Sequence, residues 1–211
     1  MKKIKTRFHC GELSLEGILG LPEERGLFPA VLICHPHPLH GGSMENNVVN
    51  SLFEVLVRAS FIPFKFNFRG VGESEGEFSH GTGEQDDVDA AISFITTVKE
   101  VDSNRIGLAG YSAGAAFGLP VGAKDARVKA LAAISPPLSM FDSEFLKDCY
   151  KSKLLITGTR DDFAPSSQFL EFCQSLPDPK EYETMSGADH FWWGHESDMA
   201  HKVTEFFQRN L

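Results

Sequence analysis

Apolar and polar positions alternate from the first residues of the chain. Ile4, Thr6, Phe8 and Cys10 interleave with Lys3, Lys5, Arg7 and His9, and after Gly11-Glu12 the alternation resumes at Leu13, Leu15, Gly17, Leu19 and Leu21. A period of two predicts an antiparallel hairpin, placed at a sheet edge. The next apolar stretch, Ala30 to Cys34, is continuous, as suits a strand covered on both faces in the middle of an α/β sheet. Val49, Leu52, Phe53 and Leu56 then fall at helical spacing. Phe64, Phe66 and Phe68 predict a strand with Pro63 at its first position.

The remaining elements repeat this exchange of periods. Thr82 with Gln85 reads as a capping box, Glu84, Asp86 and Asp87 suit the positive end of a helix dipole, and Val88, Ala91, Ile92 and Ile95 give that helix an apolar face. Strands are predicted over 106–109, 128–134, 154–157 and about 182–185. Helices are predicted from about Ala113, around Phe169, Phe172, Cys173 and Leu176, and around Met199, Val203, Phe206 and Phe207. Strands alternating with helices imply one α/β domain over 1–211: a doubly wound, mostly parallel sheet of about eight strands with helices on both faces. Ligands of such sheets bind beyond the carboxyl ends of the strands.

Charge and cysteine content narrow the partners. A net charge of −9 opposes nucleic-acid binding, which needs a basic face. No apolar run reaches a membrane span, and Thr6, Arg7, His9, Glu12 and Ser14 interrupt any signal-peptide core. Cys10, Cys34, Cys149 and Cys173 lack paired spacing and read as reduced thiols. The expectation is a cytoplasmic protein without nucleic-acid or membrane partners.

Chemistry concentrates after the predicted strands. Gly110-Tyr111-Ser112-Ala113-Gly114 is a G-x-S-x-G sequence between a strand and a helix, where a sharp turn would push the serine hydroxyl out of the sheet. A serine hydroxyl needs an adjacent base, and the base an orienting acid. Candidates follow in order: Asp161 or Asp162 after the 154–157 strand, and His190, with His195 and His201 behind it, after the last strand.

These segments together resemble the α/β-hydrolase superfamily, in particular its small, capless members related to dienelactone hydrolase. Gly158-Thr159-Arg160-Asp161 with Pro165 is similar to that family's acid loop, and Gly187-Ala188-Asp189-His190 to its histidine loop. His35-Pro36-His37-Pro38 with Gly41-Gly42 resembles a first catalytic loop, and Arg69-Gly70-Val71-Gly72-Glu73-Ser74 an R-G-x-G-x-S turn. The resemblance implies Ser112 as nucleophile, His190 as base, Asp161 as acid and no cofactor. It departs from dienelactone hydrolase in having serine where that enzyme has cysteine, so the lactone substrate does not carry over. The implied activity is hydrolysis of small carboxylic esters, with thioesters or lactones as further substrates.

Acyl transfer also needs donors for an oxyanion. The Ala113 amide is one. The other must come from His37 or Leu39, because Pro36 and Pro38 have no N–H, and the resemblance favours His37. Leu39, Tyr111, Phe141 and Trp192 are candidate pocket residues, and residues 135–152 leave room for a short lid but no cap domain. Arg69 is read as bracing its own turn. Two rivals compete with this reading. One is a non-catalytic binding protein on the same fold. The other is a metal-dependent hydrolase using His35, His37 and His40, whose tract resembles a metallo-β-lactamase motif but has Leu39 where that motif has aspartate.

Overall fold

The computed structural model describes residues 2–139 and 144–211. The period-two segments form β1 (Lys2–Cys10) and β2 (Leu13–Leu21), joined by a turn at Gly11, and pair antiparallel as predicted. Then follow β3 (Phe28–Cys34), α1 (Asn47–Arg58), β4 (Ile62–Phe66), α2 (Thr82–Ile95), β5 (Val101–Tyr111), α3 (Ala113–Lys124) and β6 (Val128–Ile134). The chain closes with α4 (Glu144–Lys147), β7 (Ser152–Arg160), α5 (Ser166–Ser175), β8 (Lys180–Asp189) and α6 (Glu196–Asn210).

The strands make one eight-stranded sheet in the order β1-β2-β4-β3-β5-β6-β7-β8, antiparallel at β1-β2 and β2-β4 and parallel elsewhere. The order turns back at β3, which lies between β4 and β5, so the loops after β3 and β5 emerge side by side. In register, Cys34 faces Gly110. That is the switch point where a doubly wound sheet offers a crevice.

Alternation along each buried strand divides the core. Leu32, Cys34, Leu108 and Leu131 point to one face, where Val88 and Ile92 of α2, Leu119 of α3 and Phe169 of α5 cover them. Val31, Ile33, Ala109 and Ile156 point to the other, under Leu52, Phe53 and Leu56 of α1 and Val203, Phe206 and Phe207 of α6. The continuous apolar run 30–34 is therefore a central strand buried from both sides.

Three details differ from the sequence pattern. The strand through Phe64 stops at Phe66, and Phe68 is buried in the loop beyond it. Pro63 is the second residue of β4, inside the sheet; the β2 ladder reaches only Phe64, so the missing N–H falls outside it. Thr82 opens α2 but does not cap it. Glu84 does, accepting from the Gly81 and Ser79 amides at 2.7 and 2.8 Å. Among the described residues, no helix is long and apolar enough to cross a membrane.

Candidate active site

β5 passes into α3 with Ser112 alone at the turn, held at φ 52° and ψ −124°. A non-glycine residue rarely adopts a positive φ, and its hydroxyl is thereby lifted clear of the sheet. The ladder itself fixes the turn: Ser112 N–H donates to the Ile134 carbonyl at 2.9 Å. Glycine at 114 is a packing requirement, because a Cβ there would stand 2.3 Å from the Cys34 carbonyl oxygen and 2.5 Å from that of His35. This close approach sets the serine against the loop after β3.

Three loops from distant parts of the chain converge here. Ser112 Oγ lies 3.0 Å from His190 Nε2, and His190 Nδ1 lies 2.9 and 3.0 Å from the two carboxylate oxygens of Asp161. Asp161 is buried at the end of β7 and collects further donors. Phe163 and Ala164 amides reach Oδ1 at 2.9 and 3.1 Å, and the Thr157 hydroxyl reaches Oδ2 at 3.0 Å. Burial pushes this carboxyl up, but hydrogen bonds from His190, Ser135 and Thr157, with the attraction of His190, outweigh it and hold it below its ordinary value. The carboxylate is thus ionised at neutral pH and accepts from Nδ1–H, which leaves Nε2 facing the serine as acceptor.

The alternatives fall elsewhere. Asp162 is exposed, His201 bonds the Ser197 carbonyl on the outer face of α6 at 2.7 Å, and His195 precedes that helix.

A pocket of about 330 Å³ opens over Ser112 and His190, lined also by Pro36, His37, His40, Asn46, Tyr111, Phe163 and Phe191. Tyr111 lines it from below while its hydroxyl donates to the His190 carbonyl at 2.8 Å. The other pocket candidates do not line it. Leu39 is 66% exposed, turned outward on the 3-10 turn Pro38–His40. Trp192 is fully buried in the α1–α6 face of the core, because its indole N–H donates to Ser135 Oγ at 3.0 Å. Phe141 lies outside the described residues. Between β6 and β7 the short helix α4 is the only regular element among those described.

Sequence patterns missed Ser135, Thr157, Phe163 and Phe191. Ser135 had a usable signal, since it stands at the carboxyl end of β6 as Ser112 does at β5. It is fully buried at φ 46°. The other three are marked only by neighbours that folding supplies.

For an oxyanion, the Ala113 amide is free at the first turn of α3, where a helix leaves its N–H groups unpaired. The Leu39 N–H is taken by His37 Nδ1 at 3.2 Å, whereas the His37 N–H bonds no other described residue. Of the two candidates after β3, only His37 keeps its amide available.

His35 has a different task. It is fully buried, with Nδ1 2.7 Å from the Pro36 carbonyl and Nε2 accepting from the Phe68 amide at 3.1 Å. Both ring nitrogens are committed to backbone, tying the loop after β3 to the loop after β4, and this removes His35 from the metal-binding tract that sequence spacing suggested. Among the described residues, no group of three or more His, Cys, Asp or Glu side chains is arranged to hold a metal ion.

Burial pushes the His35 pKa down to about 4, the bond to Pro36 only partly opposing it. An unfolded histidine takes up its proton near 6.5. Stability is therefore intact above that pH and falls as pH drops toward 4, by about 3 kcal/mol in total. Urea unfolding at pH 7.5 and 4.5 should show a larger acid loss in wild type than in His35→Gln, which cannot titrate.

Arg69 grips a carboxylate, as its bracing role suggested. Its Nε lies 3.1 Å and Nη2 2.8 Å from Asp87 Oδ1, and its own amide donates to Oδ2 at 3.0 Å. Asp87 is fully buried on α2, so the pair fastens the β4 loop to that helix. Arg69→Met strands this charge and should cost about 3–5 kcal/mol. Adding Asp87→Asn should recover part of the loss, read from denaturation midpoints.

Sheet order, the antiparallel pair at one edge and the bare strand-to-helix serine define the class: this is a capless member of the α/β-hydrolase superfamily, a hydrolase of the serine type. Within it the chain belongs to the X-Pro dipeptidyl-peptidase (S15) family, which matches residues 14–194. It is 31% identical to the uncharacterized protein RP471 of Rickettsia prowazekii over 173 residues, covering 78% of this chain and 72% of that protein. Among solved structures it resembles an alpha-beta serine hydrolase homologue from Coxiella burnetii, with 30% identity, TM-score 0.87 and 97% of each chain covered. It also resembles XC6422 from Xanthomonas campestris, an α/β serine hydrolase without lid, with 27% identity, TM-score 0.86 and coverage of 99% and 95% of the two chains.

Proposed function

We propose that the protein hydrolyses small carboxylic esters through an acyl-enzyme on Ser112, thioesters and lactones being further substrates of the same chemistry. The observation that carries this reading is the row Ser112 Oγ, His190 Nε2, His190 Nδ1 and Asp161, spaced 3.0 and 2.9 Å. His190 takes the serine proton as Oγ attacks the carbonyl carbon. The amides of Ala113 and His37 hold the oxyanion. Collapse expels the alcohol, which leaves with the proton from His190, and water repeats the attack with His190 again as base. Asp161 keeps the imidazole in the tautomer that accepts at Nε2.

The family match favours a second reading, cleavage of peptides after a dipeptide. An N-terminal ammonium would need a carboxylate close by, and among the described residues lining the pocket none is acidic. Esters therefore fit the site better. The test is a series of p-nitrophenyl esters of rising acyl length, acyl thioesters and Xaa-Pro-p-nitroanilides, with fluorophosphonate labelling of wild type and Ser112→Ala. Ser112-dependent ester turnover with little anilide turnover is expected. Label on both proteins, or anilide turnover alone, would reject the esterase reading. An inert but folded wild type would favour a binding protein.

A further inference from the structure

The reacting atoms divide the pocket into an acyl side and a leaving-group side. His190 Nε2 must give its proton to the departing alcohol oxygen, so that oxygen has to come within about 2.6–3.2 Å of Nε2. The oxyanion points the other way, toward the loop after β3 and the start of α3. Whatever borders the imidazole therefore borders the alcohol half of the ester.

Two phenyl rings border it. Phe163 has its ring centroid 4.4 Å from that of His190, tilted by 40°, and Phe191 lies 5.6 Å away at 88°. Both line the pocket, and both are about half exposed, at 53% and 52%. A single exposed apolar side chain is ordinary, but two large ones sharing one reactive group are apolar area that a ligand would cover.

Their backbones are pinned before any ligand arrives. Phe163 N–H donates to Asp161 Oδ1 at 2.9 Å, and its carbonyl accepts from Leu138 N–H at 3.3 Å. Phe191 N–H donates to Asp189 Oδ1 at 3.0 Å, and its carbonyl accepts from Asn47 Nδ2 at 2.9 Å. A preorganised apolar slot costs a ligand little ordering. No Asp, Glu, Lys or Arg is among the described residues lining the pocket, so nothing there calls for a charged alcohol.

We propose that Phe163 and Phe191 form a clamp that selects esters with a planar aromatic group in the alcohol portion. This rests on the esterase reading and specifies its substrate class. The two phenyl rings take different angles to His190, 40° and 88°, so an aryl ring beside the imidazole can meet them in the offset or edge-to-face contacts that aromatic pairs prefer.

The test compares kcat/KM for benzyl, cyclohexylmethyl and methyl acetate, whose leaving alkoxides are similarly basic, in wild type, Phe163→Leu, Phe191→Leu and the double variant. Ratios between esters within each protein are the readout, so an overall change in activity cancels. Wild type should prefer benzyl over methyl acetate by about tenfold or more, and the double variant should lose most of that preference, the size expected of two aromatic contacts. The benzyl over cyclohexylmethyl ratio should fall as well, since leucine keeps apolar contact but not a ring face. The single variants provide the same readout if the double variant does not fold. A wild-type ratio near one, or ratios unmoved by the substitutions, would overturn the clamp while Ser112-dependent turnover upheld the esterase. Absence of turnover of all three acetates and of the p-nitrophenyl esters would overturn both.

Discussion

Ser112→Ala should lower kcat for p-nitrophenyl acetate by about six orders of magnitude, to the level that oxyanion donors and binding alone sustain. The nucleophile has no understudy, because no other hydroxyl bonds His190 Nε2 among the described residues. Ser112→Gly should be equally inactive but differ in stability. Serine at φ 52° is strained, whereas glycine adopts that backbone freely. Thermal unfolding should place Ser112→Gly above Ser112→Ala, by about 1 kcal/mol in stability. Equal melting temperatures would show that the surrounding ladder absorbs the strain. Residual activity in Ser112→Ala that survives repurification would remove the serine from the chemistry.

Asp161→Asn should cost about 10⁴ in kcat at neutral pH while leaving the fold intact. The reason lies in how the carboxylate is surrounded. Amide donors from Phe163 and Ala164 both reach Oδ1, so an asparagine must keep its oxygen there and turn its NH₂ toward the Oδ2 position. That position is 3.0 Å from His190 Nδ1. An NH₂ there favours the tautomer protonated on Nε2, which can no longer accept from Ser112. It is opposed only by the retained Oδ1, 2.9 Å from Nδ1 but now neutral and shared with two amides. The substitution also leaves the Thr157 hydroxyl, 3.0 Å away, to turn from donor to acceptor, which a hydroxyl does at little cost. Steady-state kinetics should therefore show a fall in kcat with KM little changed, alongside a retained urea midpoint. A kcat within tenfold of wild type would assign the orienting role elsewhere. Equal loss of stability and activity would make Asp161 a structural carboxylate.

These outcomes depend on residues of unequal visibility in the sequence. The hairpin of β1 and β2 was legible because its period of two extends through nine residues on each side of Gly11. β3 was legible because an unbroken apolar run between polar segments has few other uses. Ser112, Asp161 and His190 stood out because each follows a strand in a loop with its own glycine. The ends of elements were less visible. β5 begins at Val101, five residues before its apolar run, because its early residues pair with β3 at Phe28 without being buried alternately.

By itself, then, the amino-acid order determined the alternation of strands and helices, the burial of the central strands and the chemical types at three loops. Local period and turn chemistry are properties of neighbouring residues, and they are written in sequence. Tertiary structure alone decided that His35 spends both nitrogens on backbone, and that Trp192 turns inward to Ser135 while Phe163 and Phe191 face the pocket. Each of those depends on groups far apart in the chain competing for the same few donors, acceptors and buried spaces. That competition is resolved only when the whole sheet has closed.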